Sequence, residues 1–281
     1  MEPLRVGEAL VTPLLDGVQP LQEPIEESYP SVPAEAWAEV RSNYPKLISE
    51  TGTWRLHVRC TLVRVGGSTI LVDTGVGHIL SPTWFGATGR VLDELRAAGV
   101  EPDVIETVVL THMHDDHIGG TVMTPGAITF PKARHVMHRA DIEWLREWAE
   151  HDEEVRVVFD SFLAPLEQAG LLMPAEDGQP LAEGVRLRHL PGHTPGHSGV
   201  EVRSGGDRMV ISGDAFNHPF QFGHPEWFGR SDGEPERAGA TRRTLLEECS
   251  GGSVLIAPSH FADPFGRART GEDGRAEWTA L

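Results

Sequence analysis

Residues 111–120 read Thr111-His112-Met113-His114-Asp115-Asp116-His117-Ile118-Gly119-Gly120. Three imidazoles and two carboxylates fall within six positions, directly after the apolar run Val108-Val109-Leu110. That run reads as the end of a buried strand, and Gly119-Gly120 predicts a sharp backbone turn. His112, His114, Asp116 and His117 carry the donor types of a borderline metal such as zinc. On an extended segment His112 and His114 point the same way, because side chains alternate with period two. Asp116 and His117 fall past the turn and aim at a second point nearby, so one loop can serve two adjacent metals. A polar loop with scattered, backbone-bonded histidines explains one histidine well. It does not explain His-x-His-x-Asp-His before a double glycine, and the stretch is read as a metal site.

The chain around this loop has 281 residues, a size common for a single layered α/β unit, and 1–281 is read as one domain. Hydrophobic residues make up 39% and charged residues 23%, the balance of an ordinary soluble globular protein. A net charge of −18 repels phosphate backbones and anionic lipid, which argues against nucleic acid or membrane as the main partner. A small-molecule substrate is the expected partner, with a homodimer left open. Two cysteines, Cys60 and Cys249, are too few for a disulfide framework and are read as small buried hydrophobes. Met1-Glu2-Pro3-Leu4-Arg5 lacks a basic segment followed by an apolar core, and no run approaches a membrane span. A cytoplasmic location is the default expectation.

Along the chain, residues 4–16 read as one or two short strands. Residues 17–52 are rich in Pro and Glu and read as an N-terminal arm or lid, with a helical patch near Ala34–Arg41. Tyr29, Trp37 and Tyr44 are its candidate wall residues; the same aromatics would equally pin the arm to the body. Trp54–Val65 and Thr69–Asp73 read as a hairpin about Gly66-Gly67-Ser68. Asp73, at a strand end before Thr74-Gly75, is placed to orient the histidine loop by hydrogen bonds rather than to bind metal. Helices are expected at Arg90–Ala98, Asp141–Glu150, Val155–Gln168 (interrupted or ended near Pro165) and Thr241–Cys249. Strands are expected at Thr107–Leu110, Val136-Met137, Val185–Leu190, Gly199–Arg203, Met209–Ile211 and Val254–Ala257. Two strand-rich halves, each with its own helices, predict two sheets packed face to face with helices outside, a four-layer αββα sandwich. His135, His138 and His151 lack ligand partners in sequence and read as surface or core-edge residues.

Three later positions can complete two coordination shells. His193 lies in the rigid turn Pro191-Gly192-His193-Thr194-Pro195-Gly196-His197. Asp214 closes Val210-Ile211-Ser212-Gly213-Asp214, and His260 closes Leu255-Ile256-Ala257-Pro258-Ser259-His260. In each, a buried strand supplies rigidity and its C-terminal tip offers one ligand. The ordered set Asp73, His112-x-His114-x-Asp116-His117, His193, Asp214 and His260 resembles the five motifs of the metallo-β-lactamase superfamily, over about residues 55–260. The resemblance implies that His112, His114 and His193 hold one metal, that Asp116, His117 and His260 hold the second, and that Asp214 bridges both. It further implies two divalent ions, zinc first, with Mn, Fe or Co as alternatives. Within the superfamily, residues 190–226, ending in Gln221-Phe222-Gly223-His224-Pro225-Glu226, resemble the branch of methyl parathion hydrolase and the N-acyl homoserine lactonases. The lactonases place a tyrosine shortly after the bridging aspartate. Ala215-Phe216-Asn217-His218 stands here instead, leaving that role absent or to His218 or Asn217.

The chemistry so implied is hydrolysis, with two ions about 3.5–4 Å apart sharing a hydroxide whose pKa falls to roughly 7. Asp214, and with it Asp116 and His218, are the expected catalytic groups. Trp54, Phe216, Phe220, Phe222 and Trp227 are the expected apolar wall, although such a stripe fits packing within a loop equally well. Small esters, lactones or organophosphates are the expected substrates. The alternatives are a mononuclear iron persulfide dioxygenase, or a thioester or β-lactam hydrolase of the same superfamily.

Overall fold

The computed structural model describes residues 2–78, 88–124 and 126–281. Val109 turns inward between two sheets, while Val108 and Leu110 on either side of it turn outward toward helices. This alternation, repeated strand by strand, builds the architecture. The first sheet runs in chain order: β1 (Leu4–Val6), β2 (Ala9–Pro24), β3 (Thr53–Val65), β4 (Ser68–Val72), β5 (Thr107–Leu110), β6 (Arg134–His138) and β7 (Leu172–Ala175). Pairing is antiparallel from β1 to β4 and parallel from β4 to β7. The second sheet holds β8 (Pro180–Ala182), β9 (Val185–His189), β10 (Ser198–Ser204), β11 (Asp207–Gly213), β12 (Val254–Pro258), β13 (Gly266–Thr270) and β14 (Ala276–Ala280). There only β11 and β12 are parallel. The parallel strands matter most, because parallel pairing brings their C-terminal tips to one edge.

The helices in chain order are α1 (Ile25–Ser28), α2 (Trp37–Asn43), α3 (Val91–Ala97), α4 (Asp115–Ile118), α5 (Arg139–Ala149), α6 (Glu153–Val158), α7 (Ala164–Gln168) and α8 (Pro235–Cys249). Between the sheets, Val11, Val63, Val72, Val109 and Val136 meet Val200, Val202, Ile211, Leu255 and Ala257. Outside the first sheet, Leu62, Leu71, Val108 and Leu110 pack on Val91 and Leu95 of α3 and on Ile142 and Leu145 of α5. Outside the second, Val210, Val254 and Ile256 pack on Leu245 and Cys249 of α8. The result is the four-layer αββα sandwich that the strand pattern predicts. Both cysteines are buried free thiols. Among the described residues no helix is long and apolar enough to cross a membrane.

Several boundaries differ from the sequence expectation, each for a physical reason. Residues 17–24, read from the sequence as the start of the arm, continue β2, pairing with β3 as far as Pro24↔Thr53, with register shifts between Leu15 and Gly17 and between Pro20 and Pro24. A residue without a donor is tolerated at such irregular edges, so the prolines that disguise this strand do not end it. Strands β7, β8, β13 and β14 escape the sequence reading because they are short elements at or next to a sheet edge, with few buried apolar residues. The helix expected over Val155–Gln168 runs from Glu153 to Gln168 through a π-helical segment at Phe159–Leu163. The wider turn just before Pro165 accommodates the missing N–H and the ring, so the proline bends the run without stopping it.

One charge cluster fixes the outer face of the second sheet. The Glu201 carboxylate is almost fully buried among Arg186 (2.7 Å), Arg203 (3.0 Å) and Arg208 (2.6 Å). Burial pushes its pKa up, but these three guanidinium groups outweigh that and hold it down at about 2. A depressed acid contributes stability that is present above its unfolded pKa and lost as pH falls toward the folded one. Glu201→Gln is therefore expected to be less stable than the parent at pH 6–7. Urea midpoints of the two proteins should converge as pH falls from about 4.5 toward about 2; a gap that stays constant over that range would contradict the cluster's role.

Candidate metal centre

Asp73 leaves the tip of β4 with φ 61°, the one positive φ at a non-glycine among the described residues. An aspartate tolerates this left-handed conformation better than most side chains. The twist aims its carboxylate across at the neighbouring β5 tip. Oδ1 accepts from the Thr111 amide (2.8 Å), and Oδ2 accepts from the Thr111 hydroxyl (2.9 Å) and from His117 Nδ1 (2.8 Å). His112 lies two residues past the end of β5, and α4 then winds one turn, so Asp116 and His117 sit on a helical turn rather than an extended one. The double glycine does not turn the chain as expected. Gly119 has ordinary helical angles, and what excludes a side chain is crowding: a Cβ on Gly119 would lie 2.1 Å from Val76 O, and one on Gly120 2.0 Å from Thr74 O. The glycines let the histidine loop press against residues 74–77.

His193 arrives on the turn before β10, Asp214 at the tip of β11 and His260 just past the tip of β12. Three overlapping donor groups form: His112, His114 and His193; His112, His117 and Asp214; and Asp116, His117 and His260. Within each, the donor atoms all lie within 4.8 Å of one another. His112 Nε2 and His193 Nε2 approach His114 Nδ1 at 2.9 and 3.0 Å. Asp214 Oδ2 lies 2.9 Å from His260 Nε2 and 3.5 Å from His193 Nε2, while its Oδ1 lies 3.3 Å from His117 Nε2. The carboxylate of Asp116 is 3.5 Å from both His117 Nε2 and His260 Nε2. Asp214 thus stands between the two ends of the cluster.

The outward-facing ring nitrogens fix which nitrogen is free to ligate. His193 Nδ1 bonds Asp232 Oδ1 (2.9 Å), His260 Nδ1 the His57 carbonyl (2.6 Å), His117 Nδ1 the Asp73 carboxylate, and His112 Nδ1 the Thr111 hydroxyl (3.1 Å). In the neutral ring an Nδ1–H that donates outward leaves the Nε2 lone pair facing inward, the orientation second partners impose on metal-binding imidazoles. Asp232 is itself held by Arg242, fully buried on α8, at 2.6 Å. His197 is excluded from the set: its Nε2 accepts the Asp214 amide (2.9 Å) while Nδ1 donates to Leu190 O (2.8 Å). It holds the Asp214 backbone in place.

Electrostatics separate the two ends. Burial, and then the neighbouring rings, press His112 well below the usual histidine range, and burial with His193 brings His114 down to about 3. Burial would also lower His117 and His260, but Asp214 and Asp116 outweigh it and raise both. Asp214 is held well below the carboxylate range because His260 and His117 overcome its burial. The donor set fits divalent ions. A proton on His114 Nδ1 can serve only one of the facing His112 and His193 nitrogens, and His117 Nε2 and Asp214 Oδ1 are buried with no hydrogen-bond partner. Cations among these nitrogens and oxygens would satisfy all of them, and a mixed N/O set suits zinc and its neighbours.

A cavity of about 470 Å³ opens onto His114, Asp116, His193, Asp214 and His260. Of the expected wall residues, Trp54 lines it, and so does Tyr29 from the arm; Trp37 and Tyr44 do not. Phe216, Phe220, Phe222 and Trp227 do not line it either. Phe216 and Phe222 are buried under the second sheet with Leu245 and Phe261, where they serve as core. Phe220 and Trp227 pack behind Tyr29 and Trp54 and border a separate cavity with Tyr44 and Trp278. His218 is also behind the wall, fully buried against Tyr44 and Phe220, and its Nδ1 accepts the Phe220 amide. Asn217 does line the cavity, and its Nδ2 donates to Asp214 Oδ2 at 3.4 Å. The sequence reading missed Asp232 and Arg242, and also Asp141, which accepts from Thr194 Oγ1 (2.8 Å) and Gly196 N (2.6 Å) to brace the His193 turn. Nothing in their local spacing marks them.

Comparison with known proteins gives a consistent picture. Over 181 residues the chain is 31% identical to a protein of Mycobacterium tuberculosis named "Probable metallo-hydrolase", covering 56% of each. Over 164 residues it is 29% identical to an N-acyl homoserine lactonase of a Bacillus species, covering 53% of this chain and 59% of that one. The chain spans a little over half the length of these curated relatives. Among solved structures, the hydrolase AbOPH of the beta lactamase superfamily superposes with TM-score 0.86 at 24% identity, over 99% of this chain and 96% of that one. The dizinc quorum-quenching lactonase AidC, solved with a homoserine product, gives 0.83 at 22% identity, over 100% and 97%. At these identities the superpositions speak to the fold. The model of the Metallo-beta-lactamase superfamily matches residues 53–258, the stretch that carries Asp73, the histidine loop, His193 and Asp214 and ends two residues before His260. On that match, which takes in the greater part of its length, the chain belongs to the metallo-beta-lactamase superfamily.

Proposed function

We propose that the chain is a dinuclear metal-dependent hydrolase of small, largely uncharged esters, lactones or organophosphate triesters. The observation that carries this reading is the overlap of the donor groups. His112, His114 and His193 form one end, Asp116, His117 and His260 the other, and Asp214 reaches toward both. Relatives named lactonase and metallo-hydrolase support the reaction class. Two divalent ions held there would supply Lewis acidity and an activated water at neutral pH.

The chain's own residues do the rest. Asp73, Thr111, Asp232 and the His57 carbonyl hold four imidazoles in one tautomer, so little reorganisation accompanies turnover. Asp214 Oδ2 lies where it can hold a water by hydrogen bond and accept its proton, with Asn217 steadying the same oxygen. Trp54, Leu56, Leu21 and Tyr29 give the cavity apolar walls, while Glu23 and Asp115 against a single Arg230 line it beside a chain of net charge −18. That combination favours neutral substrates over anions. The arm supplies part of this wall through Leu21, Glu23, Ser28 and Tyr29, which makes residues 17–52 part of the substrate site in this reading.

The test is a panel of p-nitrophenyl esters, acyl lactones, phosphotriesters, thioesters and a chromogenic β-lactam, run on protein loaded with zinc, manganese, cobalt or iron. Turnover of a neutral ester, lactone or triester that disappears with a chelator and returns with metal is expected. No turnover of any of these by protein carrying two ions per chain would overturn the reading.

A further inference from the structure

Behind the His260 end of the site lies a buried cation whose hydrogen bonds go only to backbone. Arg59, on β3, is 3% exposed; its Nη1 donates to Phe261 O at 2.8 Å and its Nη2 to Ala262 O at 3.4 Å. Its Nε is buried with no partner. The carboxylate that acts on it most, Asp263, is ion-paired with Lys46 at 3.1 Å. Burial outweighs the pull of Asp263 and brings the guanidinium down to about 10, which still leaves it charged at neutral pH. A charge taken out of water without a close counter-charge weakens a fold, and a methionine would fill the space without that penalty. The two carbonyls it holds are the first two after His260.

We propose that Arg59 is a positioning residue for His260: by holding the Phe261 and Ala262 carbonyls it fixes the backbone that presents the imidazole, and so sets the affinity of the Asp116, His117 and His260 end for its ion without affecting the His112, His114 and His193 end. The proposal rests on the two-ended reading above and adds a residue that controls one end alone. In this role Arg59 touches neither ion nor substrate.

The strand is placed for it. Cys60 and Leu62 of β3 face the helices and Val63 faces the second sheet, so His57 and Arg59 share the face that looks toward residues 260–262. The two clasp the loop in order: His57 O accepts from His260 Nδ1 at 2.6 Å, and the Arg59 fork takes the next two carbonyls. Among the described residues, no backbone–backbone hydrogen bond reaches residues 260–264, which join β12 to β13. The Phe261 ring packs against Trp278 (4.9 Å) and Phe222 (6.0 Å), an anchor for the side chain that does not itself orient the peptide planes beside it. A planar guanidinium with two parallel donors does orient them. The charges that act most on the His260 ring are those of Asp214, Asp116 and His117, so Arg59 reaches it through the backbone rather than through its field. The His193 end has its own support in Asp232 and Arg242, which leaves the two ends braced by separate arginines.

The experiment is a zinc titration of apo-protein against a chromogenic chelator, with Arg59→Met made in the parent, in His193→Ala and in His260→Ala. In the parent, one of the two dissociation constants should rise about 10–100-fold, the effect of losing a partner that supports a metal ligand. The other should move less than about threefold, as for an independent site. In His193→Ala, which keeps the His260 end, the remaining ion should show the same rise. In His260→Ala, which keeps the other end, the remaining ion should shift less than about threefold. Arg59→Lys keeps the charge but not the fork; it should show a smaller loss at the same ion, and it decides the test on the same criteria if Arg59→Met does not fold. A residue with a purely structural role would lower the urea midpoint and leave both constants unchanged. That result, an equal rise in both constants, or tighter binding once the cation is gone overturns the proposal. A parent protein that takes up a single ion would instead sink the two-ion reading.

Discussion

Asp214→Ala is expected to abolish measurable turnover while leaving the αββα sandwich folded. Asp214 approaches donors at both ends of the cluster, with Oδ2 near His260 and His193 and Oδ1 near His117. Its position is set by the backbone bond from its amide to His197 and by its place at the tip of β11, neither of which needs the carboxylate. Removing the side chain leaves the strands intact and takes away the only oxygen donor, among the described residues, that reaches toward both ends. A single preorganised electrostatic group is worth about 10²–10³ in kcat, and one that also links two ions should exceed the upper figure. Circular dichroism should match the parent, and metal content should fall to one ion per chain or fewer. Turnover within tenfold of the parent would show that Asp214 does not link the site.

The second large effect falls far from any substrate. Arg242 is a fully buried guanidinium whose fork holds Asp232 at 2.6 Å, and Asp232 in turn holds His193 Nδ1 at 2.9 Å. Arg242→Met leaves Asp232 buried without the guanidinium that compensates its charge. Breaking one partner of a buried ion pair costs about 3–5 kcal/mol, whereas replacing both by neutral groups is often close to neutral. Urea denaturation should therefore show a loss of that order for Arg242→Met and a smaller loss for Asp232→Asn combined with Arg242→Met. Metal affinity should fall about 10–100-fold in both, because Asp232, which fixes the His193 ring, loses its anchor in the single variant and its charge as well in the double. Equal stability of the single and double variants would contradict the chain of contacts from α8 to the metal-facing imidazole.

These cases also show where sequence reading succeeds and where it stops. The donors His112, His114, Asp116, His117, His193, Asp214 and His260 are legible because each lies in a short polar segment that follows a strand, a local pattern that chemistry and periodicity both mark. Asp73 is legible for the same reason. Asp232 and Arg242 are not: one lies in a loop, the other on the buried face of α8, and only the packing of that helix brings them to His193. The aromatic run from Phe216 to Trp227 misleads because burial in a core and exposure to a cavity ask for the same side chains. Phe216 and Phe222 fill the space under the second sheet, and the cavity wall is drawn instead from Trp54 and the arm residue Tyr29. His218 follows them: its ring stacks on Phe220 at 4.1 Å, a layer away from the donors. Gly119 and Gly120 show a subtler limit, since a double glycine signals both turning and close approach, and here it is the contact with residues 74–77 that demands them.

The central claim is that this donor set holds a pair of ions. Metal content by inductively coupled plasma mass spectrometry, on protein purified without chelator and then on apo-protein titrated with zinc, tests it most directly. Two ions per chain are expected, with His193→Ala and His260→Ala each reducing the count by one. A plateau at a single ion per chain, unchanged by either substitution, would contradict the account.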